Sequence, residues 1–411
     1  MRIRLGAARG STRAWRASAA AVSVALLAAC STGGGPNGAP TAAIVPPLNA
    51  AASKNRPPVK IALLLPMGGM GETAAIAKNM KRAAELALFE RNDPSIQLVT
   101  KDDGGTAAGA RAAADAAVRD GAEIILGPLL AKSVVGVTPV ARQARVPVLA
   151  FSNDTQVAGN GVYLMSVLPE QEVRRIVAYA ASRGKRRFAA LIPDTAYGRV
   201  VESAFRRAVE RAGGSVAIVE KYPPGANGMR RPTKRVVEAI RTNAAASTPV
   251  DALFLPGGQE VLPQIGPVVA YSGLDTTRVQ LLGTGAWDFP SIGRDSAFVG
   301  GWYASPDPVA WRSFAERFAT TFGSTPPRIA SVAYDAMSLA INLSSNPPGT
   351  RFTPGNLTRK NGFAGVDGIV RLEPSGLSQR ALAVLEVQTF GATVIDPAPH
   401  SFYGTQLSSA Q

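Results

Sequence analysis

The sequence predicts an α/β protein made of two doubly wound, Rossmann-like lobes joined by a hinge. Short apolar runs alternate with amphipathic helical patterns from Val59 onward. Runs that are apolar on both faces are typical of parallel strands covered by helices. Their alternation with helices over about 240 residues indicates a doubly wound fold. A single sheet of that length would be unusually large, so the chain is expected to divide between two lobes.

The residues before this pattern indicate an export signal. Five arginines and no acidic residue precede Cys30, the single cysteine, and an uncharged stretch of 13 residues, Ala17–Ala29, leads up to it. This pattern is typical of a signal peptide, and a membrane-spanning helix needs about 20 residues. The ending Leu-Ala-Ala-Cys resembles the lipobox of bacterial lipoproteins, which implies removal of residues 1–29 and lipidation of Cys30. An ordinary signal peptide with an unrelated cysteine is the alternative.

A linker separates Cys30 from the folded body. Residues 31–58 contain several glycines and prolines, no acid, and only Lys54 and Arg56 as charged residues. Such a composition buries too little apolar surface to order the chain. We therefore expect residues 30–58 to be a lipidated cysteine followed by a disordered linker.

The predicted elements follow the linker in order. The strand candidates are Ile61–Leu65, Glu123–Leu126, Pro147–Phe151, Phe188–Ile192, Asp251–Leu255 and Val279–Leu282. Apolar residues recur at helical spacing from Ile76 to Ala87 and from Val200 to Ala212, and Gly213 with Gly214 ends the second helix. Two later helices are expected around residues 309–322 and 328–344, followed by a β-rich tail.

Two irregular regions suggest where the chain passes between lobes. An apolar run at Val162–Glu170 follows the preceding strand without a full helix between them, and a second irregular region spans Trp287–Pro308. The sequence therefore predicts a first lobe of about residues 59–166 plus 308–395, a second lobe of about 167–307, and a tail from 396 to 411.

Composition and motifs argue against several classes of function. The formal charge is +15, and it becomes +10 without the five signal-peptide arginines. The basic pairs are scattered over helix faces, and export also argues against a nucleic-acid partner. The single histidine, His400, lies in the polar tail, so a Ser–His–Asp triad is not expected. No zinc motif or dinucleotide fingerprint is present. The sequence predicts neither an enzyme nor a metal or cofactor site.

Several segments resemble a known superfamily. They are Val59–Met67, Ala122–Leu130, Arg187–Gly198 and Phe363–Leu372. In order and spacing they resemble the type I periplasmic-binding-protein superfamily, in its leucine/isoleucine/valine-binding branch. Within it, Gly127–Leu130 and Ser166–Glu172 look most like the penicillin-binding-protein-activator lipoproteins. The best-known activators also have an N-terminal helical-repeat domain, where this chain has a linker.

The resemblance and the strand-end rule predict the same ligand cleft. In open α/β sheets, ligands lie beyond the carboxyl ends of the strands, and domain interfaces favour pockets. The resemblance implies that Ser152, Asn153 and Thr155 hold a ligand carboxylate, with Ser133 as a further hydroxyl. It also implies that Tyr197 closes over the ligand. Helix capping for the first group and simple packing for Tyr197 are the alternatives.

The chain departs from the amino-acid binders after Leu282. Those proteins usually place an acid there to pair with the ligand ammonium. Here Trp287 occupies that region and Asp288 follows it. Either Asp288, Glu260 or Asp154 substitutes, or the ligand is not a free amino acid. Trp287 is a candidate cleft residue that could stack on a sugar or fill space.

Two functions fit these expectations. The first is a non-catalytic, lipid-anchored regulator that faces the periplasm and activates a peptidoglycan synthase. The outer membrane is favoured, because Ser31 rather than an acid follows Cys30. The alternative is the solute-binding protein of an ABC transporter, which would bind an amino acid of the branched-chain type or a related small polar ligand and dock on the transporter permease.

Overall fold

The computed structural model describes residues 58–223, 228–243 and 249–402. The expected signal peptide, Cys30, the linker up to residue 57 and residues 403–411 of the tail lie outside this part. Among the described residues, no helix is both long enough and apolar enough to cross a bilayer.

The first lobe is built on a five-stranded parallel sheet. Its strands are β1 (Val59–Leu65), β2 (Ile96–Asp102), β3 (Ile124–Leu126), β4 (Val148–Ala150) and β5 (Val162–Leu164). The helices between them are α1 (Glu72–Arg91), α2 (Ala107–Arg119) and α3 (Ala131–Ala144). Neighbouring strands lie in the order β2-β1-β3-β4-β5. Ile61 and Leu63 of β1 pack on the α1 side, and Ala62 and Leu64 pack on the α2 and α3 side. This two-sided burial explains the continuous apolar run in β1.

The second lobe begins with α4 (Pro169–Ser182). It continues with β6 (Arg187–Pro193), α5 (Ala196–Arg211), β7 (Ser215–Tyr222), α6 (Arg230–Asn243), β8 (Ala252–Phe254), α7 (Leu262–Tyr271), β9 (Gln280–Gly283) and β10 (Trp302–Ser305). These five strands are parallel. The side chain of Thr195 caps α5 by accepting a hydrogen bond of 3.1 Å from the Gly198 N–H.

The chain then returns to the first lobe. Here lie α8 (Pro308–Phe322), α9 (Ala330–Ser344), α10 (Pro354–Leu357) and a small antiparallel sheet of β11 (Phe363–Gly365), β12 (Gly368–Leu372) and β13 (Ser378–Arg380). Helix α9 packs beside α1 in the same hydrophobic core. The two α/β lobes confirm the predicted fold class.

The C-terminal strands correct the expected lobe boundary. Strands β14 (Ala383–Val387) and β15 (Ala392–Asp396) were expected in the first lobe, but they complete the second sheet in the order β15-β14-β10-β9-β8-β6-β7. β14 pairs antiparallel with β10, which places Val384 opposite Ala304. Both residues are fully buried. An unpaired β10 would expose its backbone at the sheet edge, and β14 removes that edge.

Three segments cross between the lobes: β5 to α4, β10 to α8, and β13 to β14. Gln171 and Arg380 tie the first and third crossings together. The Arg380 N–H donates to Gln171 Oε1 at 2.9 Å, and Arg380 Nη2 donates to the Met165 carbonyl at 2.8 Å. The buried Arg380 guanidinium also bonds Asp335 Oδ2 at 3.1 Å, so its charge is paired within the hinge region.

Candidate functional site

A cavity of about 490 Å³ lies between the lobes, at the strand ends of both sheets. The first lobe contributes residues after β3 and β4, and the second contributes residues of α4 and the loop after β9. The lining residues are Thr73, Ile76, Leu129, Leu130, Phe151, Ser152, Asn153, Ser166, Val167, Glu172, Gly285, Asp288, Ser305, Pro306, Arg328, Ile329, Val332 and Asp367. The position agrees with the strand-end rule, and the size suits a small ligand.

Ser152 and Asn153 lie on the first-lobe wall, directly after β4. The Ser152 hydroxyl oxygen accepts a hydrogen bond of 3.1 Å from the Asp154 N–H. Its own proton is therefore available to a ligand. The neighbouring Ser166 hydroxyl instead donates to the Phe151 carbonyl at 2.5 Å. Of these two hydroxyls, Ser152 is better placed to donate into the cavity.

Ser133 and Thr155, two further residues of the expected first-lobe set, do not line this cavity. Ser133 is fully buried in the first turn of α3, beside the carboxyl group of Asp103. Burial raises the pKa of Asp103 despite a hydrogen bond from the Gly105 N–H. Thr155 begins a short 3₁₀ turn and is partly exposed.

Tyr197 lies in a neighbouring pocket of the second lobe, which it shares with Tyr222 and Glu260. Its hydroxyl donates to the Pro256 carbonyl at 3.1 Å and lies 3.3 Å from Thr284 Oγ1. Burial raises the pKa of Tyr197, and the nearby Glu172 carboxyl raises it further. The ring is thus held at the edge of the second sheet and does not contribute to the wall of the main cavity.

The expected role of Trp287 in the cleft is wrong. Its side chain is fully buried, and its Nε1–H donates to the Leu255 carbonyl at 2.8 Å. The ring lies over Gly283, where a side chain would collide with it, and 5.5 Å from the Phe298 ring. The 3₁₀ turn after β9 directs the indole into the core of the second lobe.

Asp288, the next residue, does face the cavity. Tyr303 and Ser305 place their hydroxyls 3.4 and 3.5 Å from its carboxylate oxygens. Arg328 Nε lies 3.7 Å from Oδ2. Burial raises the pKa of Asp288, and the Arg328 charge opposes that rise.

Arg328 is the guanidinium of the cavity wall, and its charge is already compensated. Besides Asp288, it bonds the buried carboxylate of Asp367. Its guanidinium carbon lies 4.4 Å from the centre of the Trp311 ring, a favourable cation–π arrangement. Ser331 donates to the second oxygen of Asp367 at 2.6 Å. A ligand carboxylate would have to compete with these two acids for Arg328.

Glu172, like Arg328 and Asp367, lines the cavity but was not among the site residues that the sequence suggested. It lies in the first turn of α4, where acids are common because they complement the helix dipole. In the structure its carboxyl group packs against Gly285, so closely that a Cβ there would lie 2.5 Å from Oε1. Burial raises the pKa of Glu172 to about 8, and a hydrogen bond from the Gly285 N–H offsets part of the rise. Only the contact with the distant loop after β9 distinguishes this acid from an ordinary capping residue.

The side chains that line the cavity are suited to binding a small solute. Three carboxyl groups and one guanidinium line the cavity, with apolar side chains and neutral polar groups between them. Within the described ranges, no group of three or more His, Cys, Asp or Glu residues could hold a metal ion. His400, in the described part of the tail, is exposed and does not line the cavity.

A profile of the family described as periplasmic binding protein matches residues 58–360. The chain belongs to this family. A Leu/Ile/Val-binding protein homolog from Brucella melitensis is 25% identical over 256 residues, which cover 59% of this chain and 63% of the relative. An uncharacterised protein from Rickettsia prowazekii is 24% identical over 183 residues, 44% of this chain and 48% of the relative. The chain thus spans about half to two thirds of the length of these curated relatives.

A solved structure from Rhodospirillum rubrum, described as a branched-chain amino acid ABC transporter, has the same fold. It superposes with a TM-score of 0.71 at 23% identity, covering 82% of this chain and all of that one. The likeness to this structure shows the fold, and the family match makes the chain a periplasmic binding protein, as the resemblance indicated. These relatives favour the solute-binding alternative over the activator of peptidoglycan synthesis, which none of them supports.

Proposed function

We propose that the chain is the solute-binding component of an ABC transporter and holds a small polar solute, such as an amino acid, between its lobes. The observation that carries the proposal is the composition of the cavity wall. The first lobe supplies Ser152 and Asn153, and the second supplies Glu172 and Asp288. A solute that touches both sets stabilises the closed arrangement of the lobes, because it gains contacts there that an open arrangement lacks.

A solute carried through purification tests the proposal. The purified full chain is heat-denatured, and the released small molecules are identified by mass spectrometry. A stoichiometric solute that raises the melting temperature when added back supports the proposal, since a ligand at about 100 times its Kd stabilises by about 2.7 kcal/mol. In the native bacterium, deletion of the gene should then reduce uptake of that solute.

Cross-linking in intact cells distinguishes the transport function from the regulatory one. We expect the chain to be trapped with a permease of an ABC transporter. Capture of a peptidoglycan synthase, with normal solute uptake in the deletion strain, would contradict the proposal. Because the family fold serves several functions, the partner decides between them.

We also infer that lipid at Cys30 tethers the protein to the membrane, with residues 31–58 as the spacer. The support is the sequence alone: the single cysteine ends a signal-like segment. Two or more acyl chains give stable anchoring. Cys30→Ser should move the protein from the detergent phase to the aqueous phase on partitioning, whereas Ser31→Ala should leave it in the detergent phase.

A further inference from the structure

The Glu172 carboxyl is the unpaired charge-bearing group of the cavity. No described residue forms an ion pair with it, and its recorded contact is with Gly285. Its charge acts on Tyr197 of α5, which is uncharged at neutral pH, and the other charged groups of the same cavity wall are Asp288, Arg328 and Asp367. Glu172 is partly exposed, but a carboxylate that is largely removed from water and has no counter-ion is costly, so this acid is better satisfied when a cation is present.

The remaining charges of the wall do not favour an anionic ligand. Arg328, its one guanidinium, already serves Asp288 and Asp367. With Glu172 ionised, the wall carries more negative than positive charge. A ligand carboxylate would therefore find no free cation in the wall, because Arg328 is already paired with the two acids.

The rest of the wall suits a short apolar body. Ile76, Leu129, Leu130, Phe151 and Val332 line the first-lobe side. A cavity of about 490 Å³ is near the lower end of the range for small-molecule sites. An ammonium group at Glu172 would leave an attached aliphatic chain facing these side chains.

We propose that the cavity binds a primary amine with a short aliphatic body, that no carboxylate is needed for binding, and that Glu172 is the counter-ion of the ammonium and releases its proton to solvent when the amine binds. The inference rests on the proposed solute-binding function and names its substrate class. The protonated carboxylic acid and the ammonium combine to give a carboxylate–ammonium pair and one free proton.

The proposed coupling between amine binding and proton release by Glu172 predicts how affinity depends on pH. Since the pKa of Glu172 is about 8, the acid is mostly protonated at pH 7, while a primary amine with a pKa near that of lysine, about 10.4, stays charged. If binding releases one proton, the affinity for the amine should increase about tenfold for each unit by which the pH rises, up to about pH 8. A carboxyl group that was already ionised would give no such dependence.

Three probes with one branched skeleton test the substrate class by calorimetry on the purified full chain. They are 3-methylbutylamine, leucine, which adds a carboxylate, and 4-methylpentanoate, which lacks the amine. We expect the amine to bind at least as tightly as leucine and the carboxylate not to bind. Titrations in phosphate and in HEPES, whose ionisation heats differ and neither of which is a primary amine, should show about one proton released at pH 7.

Glu172→Gln should abolish the proton release and weaken 3-methylbutylamine by about 10- to 100-fold, the worth of a hydrogen bond to a charged group. Glu210→Gln removes an exposed acid of the same lobe outside the cavity, and should change neither quantity.

Tighter binding of leucine than of the amine, binding of 4-methylpentanoate, or proton release that persists in Glu172→Gln would overturn the inference and leave the solute-binding function standing. If none of the three probes binds, the substrate class is also wrong. The solute-binding function is then decided by the co-purified molecule and the uptake assay, which do not depend on these probes.

Discussion

Asp288 and Arg328 form an ion pair that joins the two lobes across the cavity, with 3.7 Å between Arg328 Nε and Asp288 Oδ2. Asp288 belongs to the loop after β9 in the second lobe. Arg328 lies just before α9 in the first lobe, where Trp311 and Asp367 hold its guanidinium. Both side chains are roughly 30% exposed, at 31% for Arg328 and 29% for Asp288. The pair therefore sets how the lobes approach each other while remaining accessible to solvent.

Arg328→Met should destabilise the protein by about 1–3 kcal/mol, because Asp288 and Asp367 lose the charge that compensates them. Urea unfolding at pH 7 measures the loss. The double variant Arg328→Met/Asp288→Asn should recover part of it, since one of the two uncompensated acids is then removed. Equal stabilities for the wild type and the single variant would show that the ion pair contributes nothing to the folded state.

Glu172 should make the stability of the unliganded protein fall as pH rises. The folded state keeps the Glu172 proton up to about pH 8, whereas an unfolded Glu releases it near pH 4.5. Between these values the unfolded state binds fewer protons, so the free energy of unfolding decreases by up to about 1.4 kcal/mol per pH unit.

Glu172→Gln removes this contribution, and urea unfolding between pH 5 and 8 should show a shallower decline than in the wild type. The control variant Glu210→Gln, which removes an exposed acid, should keep the wild-type slope of unfolding free energy against pH. Parallel pH profiles for the wild type and Glu172→Gln would mean that Glu172 is already ionised in the folded protein.

The elements predicted best are those whose local pattern decides their structure. The runs in β1, β3, β4, β6, β8 and β9 are apolar on both faces and were predicted as strands. The edge strands β2 and β7 have mixed polarity and were not singled out. Strand β10 lies in a segment whose sequence looks irregular, because the strand is short and one of its two pairing partners, β14, comes from the distant C-terminal part of the chain.

The side chains that line the cavity could not be predicted from the local sequence pattern alone. Trp287 and Asp288 are adjacent in the chain, yet a single 3₁₀ turn buries the indole and directs the carboxylate into the cavity. Glu172 becomes a cavity residue only through its contact with Gly285, which is distant in sequence. The strand-end rule located the cavity, but the orientation of each side chain required the tertiary structure.

Trp287→Ala should cost about 3–5 kcal/mol of stability, since it empties a large buried volume and leaves the Leu255 carbonyl without its donor. Chemical denaturation measures the change. Tyr271→Ala, which removes an aromatic that is 86% exposed on the same lobe, should change stability by no more than about 0.5 kcal/mol. A Trp287→Ala protein that is as stable as the wild type but fails to bind solute would show that Trp287 acts in the cleft and not in the core.

Ser152 and Ser133 provide a matched test of the first-lobe wall. Ser152 faces the cavity with a free hydroxyl proton, whereas Ser133 is fully buried beside Asp103. Ser152→Ala should weaken solute binding by about 0.5–1.5 kcal/mol, the worth of one hydrogen bond. Ser133→Ala should leave affinity unchanged and lower stability instead, because the Asp103 carboxyl loses a polar neighbour. Calorimetry with the co-purified solute and urea unfolding of both variants separate the two effects. Each variant deletes one serine hydroxyl and changes nothing else. A larger loss of affinity in Ser133→Ala than in Ser152→Ala would therefore mean that the solute reaches past this wall toward α3.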